Sequence, residues 1–333
     1  MNPKKAAFSI GLDIGTQAVK IVKLKFNKDA AELEGVDLLP AQPELMEALK
    51  QIRAALNTSG PVNVAVSGPS TVIRYVNFPK MNAAELKNAL KFEAQKHLPF
   101  SVSEVNLDGF SLKEGLADNK MLVLVAAVKK EFLNPRLKLI EDAGFKVGLV
   151  DIDSLAIINA FNFNYSLQDN PDYTAIALLN VGASLSSLNI LENGIPRLSR
   201  DIHISGNNFT QKIMDAMAVD IKAAEALKLN PAAEQAQKLG PAVEPVINNL
   251  VTEIRTSFDY FESQSTSSVS RIFLSGGGSL FSGLKDSLAA ALGTSVEYWD
   301  PFKKITSPAG IDSSKVKNIA VSLAVAVGLA LRR

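Results

Sequence analysis

The chain has 333 residues, long for one core, so two or more domains are expected. Apolar residues make up 47% and charged residues 21%, with a formal net charge of +1; this is an ordinary globular balance and gives no reason to expect nucleic acid as a partner. The absence of cysteine excludes disulfides, thiolate zinc sites and cysteine nucleophiles, and two distant histidines, His97 and His203, read as surface or packing residues rather than a metal site or triad.

The opening MNPKKAAFSIGL has a basic start and an apolar run, but Asp13 interrupts it and no small-residue cleavage site follows. Residues 8–14 and 17–26 read as two strands joined tightly at Gly15-Thr16, with AAELEGVDLL as a third. In PELMEALKQIRAAL, Leu45, Leu49, Ile52 and Leu56 mark one helical face, and PVNVAVSG returns as a strand. TVIRYVNF is a strand ended by Pro79. Asn82 and Glu85 resemble a capping box opening a helix that runs to Pro99. VNLDGFSL and MLVLVAAV follow as strands around the polar turn EGLADN, and KKEFLNPRLKLIEDA is a helix stopping at Gly144. Residues 72–148 therefore read as a small α+β module inserted into the first half.

GLVDIDSLAIINAF is a short strand leading into a helix, NYSLQDNPDY a loop, and AIALLNVGASLSSLNIL a second hairpin. Gly206 to Leu229 has a helical pattern. NPAAEQAQKLGPAVEP, with three prolines, reads as a polar break before the helix VINNLVTEIRTSFDYFES. SRIFLSGGGSLFSGLKDSLAAALG is a strand, a glycine turn and a helix beginning near Leu280. IAVSLAVAVGLAL, Ile319 to Leu331, is short for a bilayer span and reads as a buried core helix.

Aligning Asp13 with Asn180 superposes Gly15 on Gly182 and Thr16-Gln17 on Ala183-Ser184. Two such hairpins suggest a duplicated fold with a cleft between its halves. Tight glycine turns aim backbone N–H groups at an anion, so two facing turns suit a polyphosphate, and an acid at the strand end suits a hydrated magnesium ion. Either hairpin alone reads equally as an ordinary turn. Gly276-Gly277-Gly278 permits close backbone approach to a ligand; it is not a P-loop, because no Lys-Ser or Lys-Thr follows, and the gap before Gly283 is too long for a dinucleotide fingerprint. Glu225 and Lys228 share a helical face, either as a solvated ion pair or as a pair that holds a ribose or base edge.

GLDIGTQAVKIV and ALLNVGASLSSLNIL resemble the two phosphate motifs of the actin-like ATPases. VDIDSLAIINAF and AVSLAVAVGLAL resemble their connecting helices, and FLSGGGSLFSGL their adenosine motif. FPKMNAAELKNALKFEAQKHLPFSVSEVNLDGF, ISGNNFTQKIM and AAEALKL resemble the type IV pilus assembly protein PilM family in particular. The resemblance implies an α/β, actin-like (ribonuclease H-like) duplicated fold. Residues 1–71 and 149–175 would form the first lobe, 72–148 an FtsA-type (SHS2) insert, and 176–333 the second lobe with a nucleotide-binding subdomain at about 206–270.

The resemblance also implies ATP and Mg2+ as cofactors. Gly15, Thr16 and Gln17 would line one side of the phosphates and Gly182, Ala183 and Ser184 the other. Asp13 would face the magnesium waters, and Gly206, Asn207, Glu225 and Lys228 would contact ribose or adenine. Gly276, Gly277 and Gly278 would pass under the nucleotide, and Lys20 matches a lysine often found in the first motif. Asn180 departs from the usual aspartate: it keeps shape and one acceptor but loses the charge, so phosphate cradling survives and hydrolysis suffers. Asp151 and Asp153 lie where a carboxylate acts on water or caps a helix, and Asp153 joins Asp13 as a catalytic candidate.

In that family the protein is a cytoplasmic scaffold of pilus biogenesis and twitching motility. It captures the N-terminal cytoplasmic tail of the inner-membrane protein PilN in a groove beside the insert and meets other cytoplasmic pilus components, with no membrane insertion of its own. A homodimer or filament is left open. The alternative, an FtsA-like filament protein, is expected to carry a linker and an amphipathic helix after the core, whereas this sequence reaches Arg333 directly after its last core helix. A small-molecule kinase is disfavoured by the lost acid at Asn180.

Overall fold

Alternating apolar residues in the first 40 positions build a three-strand meander, β1 (Phe8–Ile14), β2 (Ala18–Asn27) and β3 (Ala30–Pro40), in which Asp13 faces Lys20. The protein is seen in a computed structural model that describes residues 8–28, 30–56, 60–165, 174–308 and 311–332. The expectations for the N-terminal run up to Ala7 and for most of the NYSLQDNPDY loop lie outside the described residues. After α1 (Leu45–Leu56), which buries Ala48, Leu49 and Ile52, the wholly buried β4 (Val62–Val66) pairs parallel to β1. Val62, Val64, Ala65 and Val66 suit a parallel strand covered on both faces, with Asn63 buried among them. β8 (Val147–Ile152) extends the sheet beyond β4.

The second half repeats this pattern. β9 (Ala175–Val181), β10 (Ser186–Glu192) and β11 (Ile195–Ile202) form a meander, and β12 (Arg271–Ser275) and β13 (Ser295–Tyr298) add parallel strands. The orders β3-β2-β1-β4-β8 and β11-β10-β9-β12-β13 are the same.

The insert is a three-stranded sheet, β5 (Thr71–Pro79), β7 (Lys120–Lys129) and β6 (Val105–Leu116), covered on one face by α2 (Ala83–Ala94). The capping box is present: Asn82 Oδ1 accepts from the N–H groups of Ala84 and Glu85, each at 3.0 Å, and Glu85 Oε2 accepts from Asn82 N–H at 2.8 Å. α3 (Lys130–Asp142) falls inside the stretch read as the insert, yet its Ile140 packs with Ile10, Leu12 and Ile52 of the first lobe. By packing, the insert is the sheet and α2, and α3 belongs beneath the first sheet. The insert also touches the second lobe, where the Tyr75 hydroxyl meets Ser199 Oγ at 2.7 Å. Burial pushes the Tyr75 phenol well up, and the Ser199 bond opposes this only in part.

The helical run expected from Gly206 to Leu229 is two helices, α5 (Gly206–Met217) and α6 (Ile221–Leu229), parted at Ala218, whose φ of 51° is left-handed. The proline-rich stretch is not a break. It is the first half of one helix, α7 (Ala233–Glu262), with Pro241 and Pro245 inside it. Each interior proline costs about 3 kcal/mol. Against this, Leu239, Val243, Val246, Ile247, Leu250 and Ile254 keep helical spacing into the second-lobe core, and each buried side chain contributes about 1.5–3 kcal/mol. Gly277–Leu280 is a single 3₁₀ turn, so the helix expected from Leu280 starts later, as α8 (Leu284–Leu292).

The C-terminal segment leaves the second lobe. β14 (Ile305–Thr306) pairs with β3. Then α9 (Ser313–Ile319) and α10 (Ala324–Ala330) return to lie against the first sheet and against α4 (Asp153–Asn164). Ser313–Ala330 is long and apolar enough to cross a membrane by composition, but every residue of α10 is buried in this packing. A Cβ at Gly328 would lie 1.8 Å from the Ala156 carbonyl oxygen, and one at Gly11 would lie 2.1 Å from that of Ala326. These are backbone clashes that no side-chain rotation relieves. Gly328→Ala is therefore expected to destabilise by at least about 3 kcal/mol or to prevent folding, seen as a large fall in the thermal unfolding midpoint. A melting temperature like that of the native sequence would show that the helices need not approach so closely.

Candidate functional site

Each meander ends at the same kind of turn. Gly15 N–H donates to Ala18 O and Gly182 N–H to Leu185 O, both at 3.0 Å. The turns face each other across the lobes, and Thr16 Oγ1 and Ser184 Oγ are hydrogen-bonded at 2.7 Å. Beneath them lies a cleft of about 720 Å³. Asp13, Gly15, Thr16, Gln17 and Lys20 line its first-lobe wall, with Asp153 at the start of α4. Asn180, Gly182, Ala183 and Ser184 line the facing wall; Gly206, Asn207, Glu225 and Lys228 come from α5 and α6, and Gly276, Gly277 and Gly278 from the end of β12. With the exception of Asp151, the residues singled out from the motifs thus line one cavity. Asp151 does not reach it; its buried carboxylate faces Arg332 Nε at 3.2 Å, and burial pushes it up despite that guanidinium.

Close backbone packing shapes the far wall. Gly276 has φ of 87° and a Cβ there would sit 2.3 Å from Val181 O, so only glycine lets β12 turn away under the cleft. The first amides of α5 are used internally, Gly206 N–H on Gly182 O and Asn207 N–H on Ala183 O, both at 2.8 Å, which ties that helix to the second turn.

At the α6 end the sequence left two readings of Glu225 and Lys228 open. Lys228 is only 5% exposed, and its Nζ donates to Glu225 Oε1 at 2.7 Å and to Thr210 Oγ1 at 3.1 Å. A buried ammonium needs its carboxylate, so this is not a solvated surface pair. At the other end Lys20 Nζ pairs with Asp13 Oδ2 at 2.7 Å, and Arg136 donates to Ile14 O at 2.5 Å. The Asp153 carboxyl is pushed up to about 6, chiefly by burial and then by the Asp13 charge, against the Ser67 hydrogen bond, Arg136 and Lys20. Asn180 Oδ1 accepts from Ser275 Oγ at 3.2 Å.

Several cleft residues were missed. Ser67 and Gly68 end β4 as Ser275 and Gly276 end β12, with matching φ of 95° and 87° at the glycines. Aligning AVSG with FLSG would have found them. Arg136 looks like any exposed helix cation and carries no local signal, and His203, read as surface or packing, stands on the cleft wall.

Two sheets of one strand order, facing each other across a cleft with paired glycine turns and crossed by two helices, define an actin-like two-lobed protein. The family model for the type IV pilus assembly protein PilM matches residues 11–333, and the chain belongs to that family. It is similar to a chain of a solved PilM–PilN type IV pilus biogenesis complex, with 28% identity over 97% of this chain and 98% of that chain and a TM-score of 0.85. The ethanolamine utilization protein EutJ from Carboxydothermus hydrogenoformans shares the fold alone, at 13% identity over 99% of this chain and 91% of that one, with a TM-score of 0.54. So does component A of the (R)-2-hydroxyglutaryl-CoA dehydratase of Acidaminococcus fermentans, at 10% identity over 98% and 97%, with a TM-score of 0.50.

Because the folded Asp153 carboxyl titrates near 6 rather than its ordinary 3.8, the folded state binds more protons than the unfolded chain between those values. Stability conferred by the protonated form is therefore lost as pH rises through that window. In nucleotide-free protein, Asp153→Asn should raise stability at about pH 8 by roughly 1–2 kcal/mol and flatten the fall between about pH 4 and 6.5, read from urea unfolding. A variant no more stable than the parent at that pH would show that ionising Asp153 costs the fold nothing.

Proposed function

We propose that the cleft binds ATP with magnesium, and that the protein is a scaffold of the type IV pilus assembly machinery with slow or no hydrolysis. The observation that carries this reading is the convergence of both glycine turns, the Gly276–Gly278 run and the buried Glu225–Lys228 pair on one cavity of about 720 Å³. Ligand pockets typically fall in the range of about 300–1,000 Å³. The turns would hold the phosphates from two sides, and the α5–α6 wall with Gly276–Gly278 would take the nucleoside.

Among the described residues no group of three or more His, Asp or Glu side chains converges to hold a metal directly. Magnesium keeps most of its waters and leans on phosphate oxygens, so Asp13 would meet it through those waters. Bound magnesium would neutralise phosphate charge. The second turn offers Asn180 where a carboxylate would polarise water, and this limits turnover. Asp153, with its raised pKa, is the remaining carboxylate suited to act as a base near neutral pH.

Family membership and the similarity to the PilM–PilN complex support a second binding partner, the N-terminal cytoplasmic tail of a PilN-like inner-membrane protein. Holding that tail would place the protein in the cytoplasm, at the inner face of the inner membrane. The insert, resting on both lobes, is the surface to which such a tail would be directed.

Calorimetric titration of nucleotide-free protein with magnesium-ATP should give a dissociation constant of about 1 μM or tighter; a folded protein that takes up no nucleotide overturns the nucleotide reading. Asn180→Asp should raise ATP turnover by about tenfold or more while leaving ATP affinity within a few fold. Unchanged turnover would remove Asn180 as the limit. A synthetic peptide of the cognate PilN tail should bind saturably in fluorescence anisotropy, and a flat titration would remove that partner.

A further inference from the structure

The duplicated hairpins can be matched rung by rung. In the first lobe Asp13 on β1 stands opposite Lys20 on β2, and the two form an ion pair at 2.7 Å. In the second lobe the same rung joins Asn180 on β9 to Ser187 on β10. Both members of the second-lobe pair are neutral, so that rung carries neither the ammonium nor the carboxylate of its first-lobe counterpart.

Asn180 Oδ1 is engaged by Ser275. Ser187 is different. It lines the cleft and is 6% exposed, yet its Oγ has no hydrogen-bond partner among the described residues. Its neighbour Ser186 donates to Ile204 O at 2.5 Å, so hydroxyls on β10 are not generally left unpaired. A buried hydroxyl without a partner has given up its water for nothing, and native structures tolerate this chiefly where a ligand or an ordered water completes the bond.

We infer that Ser187 is a ligand-binding residue whose hydroxyl, closed off as placed, turns about χ1 into the cleft and donates to the terminal phosphate of the nucleotide, across from Lys20. This rests on the nucleotide reading above. The rung lies below the two turns that would flank the phosphates, so a phosphate chain entering between them ends at Lys20 from one lobe and Ser187 from the other. A hydroxyl adds a donor there without adding charge. It also makes Ser187 a discriminator, since a diphosphate stops short of it.

Calorimetric titration of the full chain with magnesium-ATP and magnesium-ADP tests this. Ser187→Ala should weaken ATP binding about five- to tenfold and change ADP binding by less than about twofold. Ser187→Cys, which nearly keeps the volume but donates weakly, should follow Ala. Ligand-free melting temperatures of both variants should stay within about 2 °C of the parent, which separates a lost contact from a damaged fold. Unchanged ATP affinity, or equal losses for both nucleotides, overturns the role of Ser187 and leaves nucleotide binding standing. A parent protein that binds neither nucleotide overturns both.

Discussion

The rest of the structure depends on the crossing of α4 and α10. Gly328 rests on the Ala156 carbonyl and Gly11 of β1 on that of Ala326, so two helices and a strand meet at backbone contact. Nothing wider than hydrogen fits at either glycine. The core around the crossing draws from both sheets: Val22 and Leu24 from one, Ile176 and Phe273 from the other, with Phe161 against Phe273 at 4.7 Å and Trp299 at 5.2 Å between ring centres. α4 begins at Asp153, on the cleft wall; the turn before α10 places Ser322 there, and α10 itself places Val325. The elements that join the lobes therefore also form part of the cavity, and a change in lobe angle must alter its shape.

Charge in the cleft is arranged in opposed pairs. Lys20 answers Asp13, Lys228 answers Glu225, and Arg136 lies close enough to Asp153 to oppose its raised pKa. A cavity so balanced attracts no polyanion by its overall field; selectivity has to come from directed donors, namely turn amides, hydroxyls and the two lysines. The rung formed by Asn180 and Ser187 is neutral on both sides and leaves this balance undisturbed.

Much of this was legible in the sequence because glycine turns and strand alternation are local signals. GLDIGTQAVKIV and ALLNVGASLSSLNIL expose the duplication directly, and the turn residues they name do meet in one cleft. What failed to show was set by long-range packing. Pro241 and Pro245 advertise a break that buried Leu239, Val243 and Val246 override. β14 is two residues long, too short for any pattern, yet its pairing with β3 returns the C-terminal helices to the first lobe. α3 follows the insert in sequence, but its packing through Ile140 is on the first sheet. Ser187 and Arg136 gain their significance only from what lies across from them.

β11 gives these separate facts a common consequence. Its Ser199 holds Tyr75 of the insert, and two residues on, Asp201 accepts from the N–H of Gly68, a residue of the cleft, at 3.2 Å. Both bonds cross from the second lobe to the chain that runs from β4 into β5. Rotation of the lobes about the α4–α10 crossing has to stretch these bonds or carry the insert along. Tyr75 is half-buried, and giving up the Ser199 bond would cost about 0.5–1.5 kcal/mol. One strand edge thus joins the cavity proposed for nucleotide to the module proposed for the pilus partner. Any coupling between those two proposed sites would pass through this pair of bonds and the helix crossing behind them.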